Sequence, residues 1–135
     1  MINIKTGEFK IDNDIIIKPN QSFSEIENII AKNKIWDIKN GYKWVYFKNK
    51  NIANLYFNIG ICFFNEKVEM IDFSFTYEQQ ENKNWNENDC LDQTDYYEKW
   101  LDEIIGKERI FNWGVIGSYF DSRGGSTSIC MKYKK

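Results

Sequence analysis

Histidine is absent from all 135 residues of this chain. That removes the one side chain whose ordinary pKa lies near neutrality and which most often ligates metals. Ser-His-Asp and Cys-His catalysis are excluded as usually built, and so are histidine-based zinc and non-haem iron sites. Proline occurs once, and so rare a breaker in a chain rich in aromatics argues against global disorder. The three cysteines, Cys62, Cys90 and Cys130, are odd in number, far apart and without a CxxC pair. A disulfide framework or zinc knuckle is therefore not expected, and reduced, mostly buried thiols are. No window approaches the ~20 apolar residues of a membrane span. The stretch Met1-Ile-Asn-Ile-Lys-Thr-Gly-Glu8 lacks the apolar core and small-residue cleavage site of a signal peptide. A net charge of −2 favours neither nucleic acid nor an anionic membrane surface. The chain is expected to be cytoplasmic, with no cofactor, no metal and no catalytic residue.

What the sequence has in abundance is aromatic surface: ten Phe, eight Tyr and five Trp, 17% of the chain. Such side chains bury large areas, so a compact core is within reach of one domain of this length, taken as residues 1–135.

Hydropathy period places the elements. Ile2 to Ile17 alternates loosely around turn signals at Thr6-Gly7 and Asp12-Asn13, which predicts two short strands. Ser22-Phe-Ser-Glu25 has the capping-box pattern, and Phe23, Ile26, Ile29 and Ile30 follow at helical spacing, predicting a helix over about 23–33. Three strands come next: Lys43–Phe47, about Ala53–Phe64, and Val68–Tyr77, with turns at Lys48–Asn51 and Asn65–Lys67. Leu55, Phe57, Ile59, Ile61 and Phe63 share one face of the second. Ile71, Phe73, Phe75 and Tyr77 share one face of the third, and strict alternation adds Glu69 to them. A polar loop follows, around Trp85, and then a helix over about 90–105. Its stripe is Tyr97, Trp100, Leu101, Ile104 and Ile105, with Gly106 as its C-terminal cap.

The last segment runs Phe111-Asn-Trp-Gly-Val-Ile-Gly-Ser-Tyr-Phe-Asp-Ser-Arg-Gly-Gly-Ser-Thr-Ser-Ile-Cys-Met-Lys-Tyr133. Phe111, Trp113, Val115 and Tyr119 alternate with polar or small residues, as do Thr127, Ile129, Met131 and Tyr133. Asp121-Ser-Arg-Gly-Gly125 between them suits a tight hairpin. Consecutive N–H groups and Arg123 could hold an anion there, but no helix follows the glycines, as a phosphate-binding loop requires. Arg123 at the loop tip remains a candidate partner contact. Gly114 and Gly117 mark a bulge, a close approach or a ligand groove.

Charge is polarised along the chain. Residues 78–103 hold nine acids against two lysines, a net −7, whereas residues 104–135 carry a net +4. Asp92, Asp95, Glu98 and Asp102 fall opposite the apolar stripe of the second helix. Their spacing fails the calcium-loop pattern, and without a cleft they form no glycosidase pair. They read either as a solvated face or as a docking surface for a basic protein, with Trp85 and Tyr96 as aromatic anchors.

The pattern Trp113-Gly-Val-Ile-Gly-Ser-Tyr-Phe-Asp121, then Arg123-Gly-Gly125 and Ile129, resembles a signature of small bacterial proteins, W-G-x-x-x-S-x-Y-D-x-R-x-G. Trp100-Leu101 and Ile105-Gly106 fit the same family's W-L-x-x-x-x-G segment. The resemblance covers about residues 50–133 and is better toward the end. Phe120 stands where that family carries Tyr, which removes a hydroxyl from the motif. Similar small proteins often sit beside polymorphic toxin genes, so the resemblance implies an immunity protein and transfers no catalytic residue.

The expectation is an α+β fold: an antiparallel sheet of about five to seven strands with two helices on one face, in the order β-β-α-β-β-β-α-β-β. The expected function is binding of a cognate, basic toxin domain. The alternative is a small-ligand pocket over Trp113, Gly114 and Gly117, with Asp121 or Asp72 as its polar group.

Overall fold

A computed structural model describes the backbone of residues 1–12, 15–27, 35–38, 40–76, 87–121 and 126–134; the side chains of 87–93, 121 and 126 lie outside the description. The fold is α+β. A two-stranded antiparallel ribbon pairs β1 (Phe9–Lys10) with β2 (Ile16–Ile17). Helix α1 (Phe23–Ile26) follows. The main sheet contains β3 (Ile35–Asp37), β4 (Tyr42–Ile52), β5 (Leu55–Phe64), β6 (Lys67–Thr76), β7 (Ile110–Phe111), β8 (Gly114–Asp121) and β9 (Ser126–Tyr133). Helix α2 (Glu87–Ile105) connects β6 to β7. The strand order is β3-β4-β5-β6-β9-β8-β7, and every neighbouring pair is antiparallel. Two meanders thus meet at one seam, where β6 pairs with β9.

The expected helices and long strands are present, and two short strands, β3 and β7, extend the sheet at its edges. The polar run Lys48–Asn51, read as a turn, is not one. The chain stays extended to Ile52 and absorbs a register shift between Phe47 and Lys50. Asn49 takes a left-handed φ of 53° there, and its N–H donates to the Asn58 side chain at 3.0 Å. The reversal comes instead at Ala53 and Asn54, with φ of 51° and 67°, as the twist of a tight hairpin demands. Asn65 and Glu66 make the next reversal in the same way, with φ of 50° and 70°.

Glu69 is likewise displaced from the position alternation gives it. Cys62 faces Met70 but Phe63 faces Val68, so Glu69 is the extra residue of a bulge. Val68 thereby takes the buried place at 3% exposure.

The core lies between the inner sheet face, the helices and the N-terminal ribbon. Phe57, Ile59, Ile61 and Phe63 of β5 and Ile71, Phe73 and Phe75 of β6 are buried, as alternation predicts. Phe23 of α1 meets Phe63 edge-on, and Tyr97 of α2 meets Phe75, so both helices cover the same face. Each such fully buried side chain contributes roughly 1.5–3 kcal/mol. Ser22 caps α1 by position, but its hydroxyl lies against Ser24 Oγ and makes no cap bond, so the capping box is not formed. Ile29 and Ile30 lie outside the described residues.

Tyr97 does a second job. β9 pairs with β6 only through Phe73, which leaves the backbone of Phe75 without a strand partner on that side. The Tyr97 hydroxyl donates to Phe75 O and lies within hydrogen-bond distance of Phe75 N–H, both at 3.2 Å. A helix side chain thus satisfies the sheet where the strand stops.

Candidate functional site

Two surfaces compete for function. The first is α2. Tyr97, Leu101 and Ile105 bury its inner stripe, while Ile104, expected in that stripe, is 46% exposed. Asp95, Lys99 and Glu103 face solvent, with Tyr96 half-exposed beside them and its ring tilted against those of Phe75 and Tyr97.

Glu98 and Asp102 are not simply solvated. One oxygen of Glu98 accepts from the Ser118 N–H at 2.8 Å and the Ser118 hydroxyl at 2.7 Å. The other accepts from Arg109 Nε at 3.2 Å. Arg109 also donates to Asp102 Oδ1 at 2.7 Å and to the Gly106 carbonyl at 2.6 Å. No basic residue occupies the last turn of α2, so Arg109 brings the positive charge that its carbonyl end favours. Burial raises the Glu98 pKa, but the hydrogen bonds from Ser118 and Arg109 outweigh it and hold the carboxyl below the ordinary range. This cluster fastens α2 to β8.

Sequence reasoning missed both Ser118 and Arg109. It placed Ser118 among the residues alternating away from the core. The register, however, sets Ile116 opposite Met131 and Ser118 opposite Ile129, all on the inner face, and Tyr119 turns outward at 54% exposure. A helix end without a basic residue, followed by Arg109 just beyond Gly106, was the available signal.

Of the other residues singled out, Asp95, Tyr96, Glu98 and Asp102 share α2. Asp92 lies on its first turns with its side chain outside the described residues, as do Trp85 and Arg123 altogether.

At Trp113 and Gly114, two of the three residues of the alternative pocket, the space is taken up by packing. Trp113 is 8% exposed, stacked on Phe111 with centroids 5.1 Å apart and set edge-on to Tyr133. Its indole N–H donates to Ile4 O at 2.8 Å. A Cβ on Gly7 would come within 2.7 Å of that ring, and a Cβ on Gly114 would collide with the Lys132 carbonyl oxygen. The glycines here serve close packing.

The second surface is the outer face of the sheet, away from both helices. A groove of about 500 Å³ crosses it, with Trp44 and Tyr46 on one wall and Asn58, Gly60, Asp72 and Ser74 beneath. Trp44 and Tyr46 are stacked, with centroids 5.8 Å apart and planes 9° from parallel. The thiols of this face, buried Cys62 and half-buried Cys130, are pushed up to about 11 by desolvation. Among the described residues no three His, Cys, Asp or Glu side chains group as a metal site, and no helix is long and apolar enough to cross a membrane. No family model, curated protein or solved structure matches the chain.

Proposed function

We propose that this chain is a non-enzymatic protein-binding domain, an immunity protein of the cytoplasm that covers the active site of a cognate, basic toxin domain. The observation that supports it most is the exposure of Asp95, Tyr96 and Glu103 along α2, within a segment of net charge −7. A half-exposed aromatic beside exposed carboxylates, in a segment whose net charge is negative, is the composition of a steered, occluding interface. Glu98 and Asp102 contribute to the field of that face while holding α2 in place through Arg109.

The test begins with the reading frame upstream of the gene. Its C-terminal domain is expressed, and its toxicity is measured with and without this protein. Protection of the cells and a direct complex in titration calorimetry are expected. Asp95→Lys with Glu103→Lys should weaken the complex and flatten its salt dependence. Affinity unchanged by that double reversal at low salt would refute the acidic-face mode. Absence of both binding and protection would refute the immunity reading.

A further inference from the structure

We propose that the groove on the outer sheet face is a saccharide-binding site. It lies on the side of the sheet away from α2 and stands or falls independently of the toxin-binding reading.

The cross-strand register builds it. Tyr46 of β4 lies opposite Gly60 of β5, and Gly60 opposite Asp72 of β6. One step along, Asn58 lies opposite Ser74. By alternation these side chains stand on the face opposite the buried Phe57, Ile59 and Phe73. Gly60 lets the aromatic wall lean inward: a Cβ there would sit 3.2 Å from the Trp44 ring and 3.3 Å from the Tyr46 ring. A trough results, with an aromatic wall on β4 and a floor of amide, carboxylate and hydroxyl.

Its chemistry selects among ligands. Asp72 and Lys48 are the charges lining the groove, one of each sign. The groove therefore favours neither a phosphate nor a polycation. Trp44 and Tyr46 already stack on each other, too close to admit a planar base between them. What remains is a neutral ligand with an apolar flank and many hydroxyls. A pyranose offers C–H groups on one face to an aromatic wall, and vicinal hydroxyls to a carboxylate, an amide and a serine. The volume suits one or two sugar rings.

The test is a titration of the ¹⁵N-labelled full chain with maltose, cellobiose, lactose and N,N′-diacetylchitobiose, followed by NMR. At least one disaccharide should move the Trp44 indole signal and the amides of Asn58, Gly60 and Ser74 saturably. Tyr46→Ala should weaken that binding about tenfold, the larger end of what one aromatic contact supplies. Should Tyr46→Ala fail to fold, Ser74→Ala carries the same comparison with a surface hydroxyl. Three results overturn the proposal: no saturable change with any of the four, changes equally strong in the folded variant, or a response only to an ammonium probe such as choline.

Discussion

Ser118 gives Glu98 both of its donors, the backbone N–H and the hydroxyl, at 2.8 and 2.7 Å to the same carboxylate oxygen. The strand and the helix are thereby joined at a point where the sheet's inner face carries a polar residue.

Glu98→Gln should flatten the acid limb of the stability curve. Ser118 and Arg109 hold the folded-state pKa of Glu98 below the ordinary carboxylate value, so its contribution is complete above about 4.5 and is lost as pH falls through the lower, folded-state value. Urea denaturation of wild type and Glu98→Gln between pH 7 and pH 3 measures this. The wild type should lose stability over the variant only in the acid range. At neutral pH the difference should be below about 1 kcal/mol, because the carboxylate is partly exposed and its charge interactions are screened. Parallel curves down to pH 3 would contradict the assignment.

Tyr97→Phe should cost about 1–3 kcal/mol, because it strips a buried N–H and a buried carbonyl of Phe75 of their partner while leaving the ring packing unchanged. Hydrogen exchange should report it locally, with Phe75 losing protection more than Phe73. A loss of less than about 0.5 kcal/mol would mean that water or a backbone shift replaces the hydroxyl.

Much of this was legible in the sequence, and the division follows physical lines. Period-two alternation found β5, β6 and β9, and the 3.6-residue period found α2, because burial on one face fixes both patterns. Alternation erred at Glu69, where a bulge exchanges the faces without altering composition, and in β8, where the register is unbroken but the inner face carries Ser118 and the outer face Tyr119. The Lys48–Asn51 run was misread by its polar composition, since the irregularity there keeps it within β4. β3 and β7 hold three and two residues, too few to show any period. Of the candidate site, α2 and its charge were visible. The Ser118 contact was not, because it depends on β8 lying beneath the helix, a packing that no local window contains, whereas Arg109 bonds back to the helix end that precedes it and had a local signal.

Gly114→Ala should be among the most damaging single changes. Its Cβ meets the Lys132 carbonyl oxygen and lies 2.9 Å from Tyr133 Cα, both backbone atoms that cannot rotate aside. A loss of about 2–4 kcal/mol is expected, in the range of overpacked core sites. Gly106→Ala provides the contrast. Nothing lies within 4 Å of its Cβ, so its cost is the left-handed φ of 85° alone, about 1 kcal/mol. Thermal melts of the two variants should rank in that order.

Cys62 and Cys130 should resist alkylation in the native protein. Both thiols titrate near 11, so the reactive thiolate is scarce at neutral pH. In a Cys90→Ser background, iodoacetamide at pH 8 should label them slowly in buffer and rapidly in guanidinium. Fast native labelling of Cys62, which is 2% exposed, would show that the outer face opens.

The seam between β6 and β9 has a consequence for how the chain is made. β9 is the last described element to leave the ribosome, yet it stands inside the sheet between β6 and β8. Tyr133 at its end donates to Gly7 O at 2.6 Å, and Trp113 reaches back to Ile4. Until β9 emerges, β6 presents an open edge and Gly7 lacks its bond from Tyr133. The meander of β4, β5 and β6 is local and can form first, whereas the pairing of β9 with β6 and the reach of Tyr133 to Gly7 are non-local and come later.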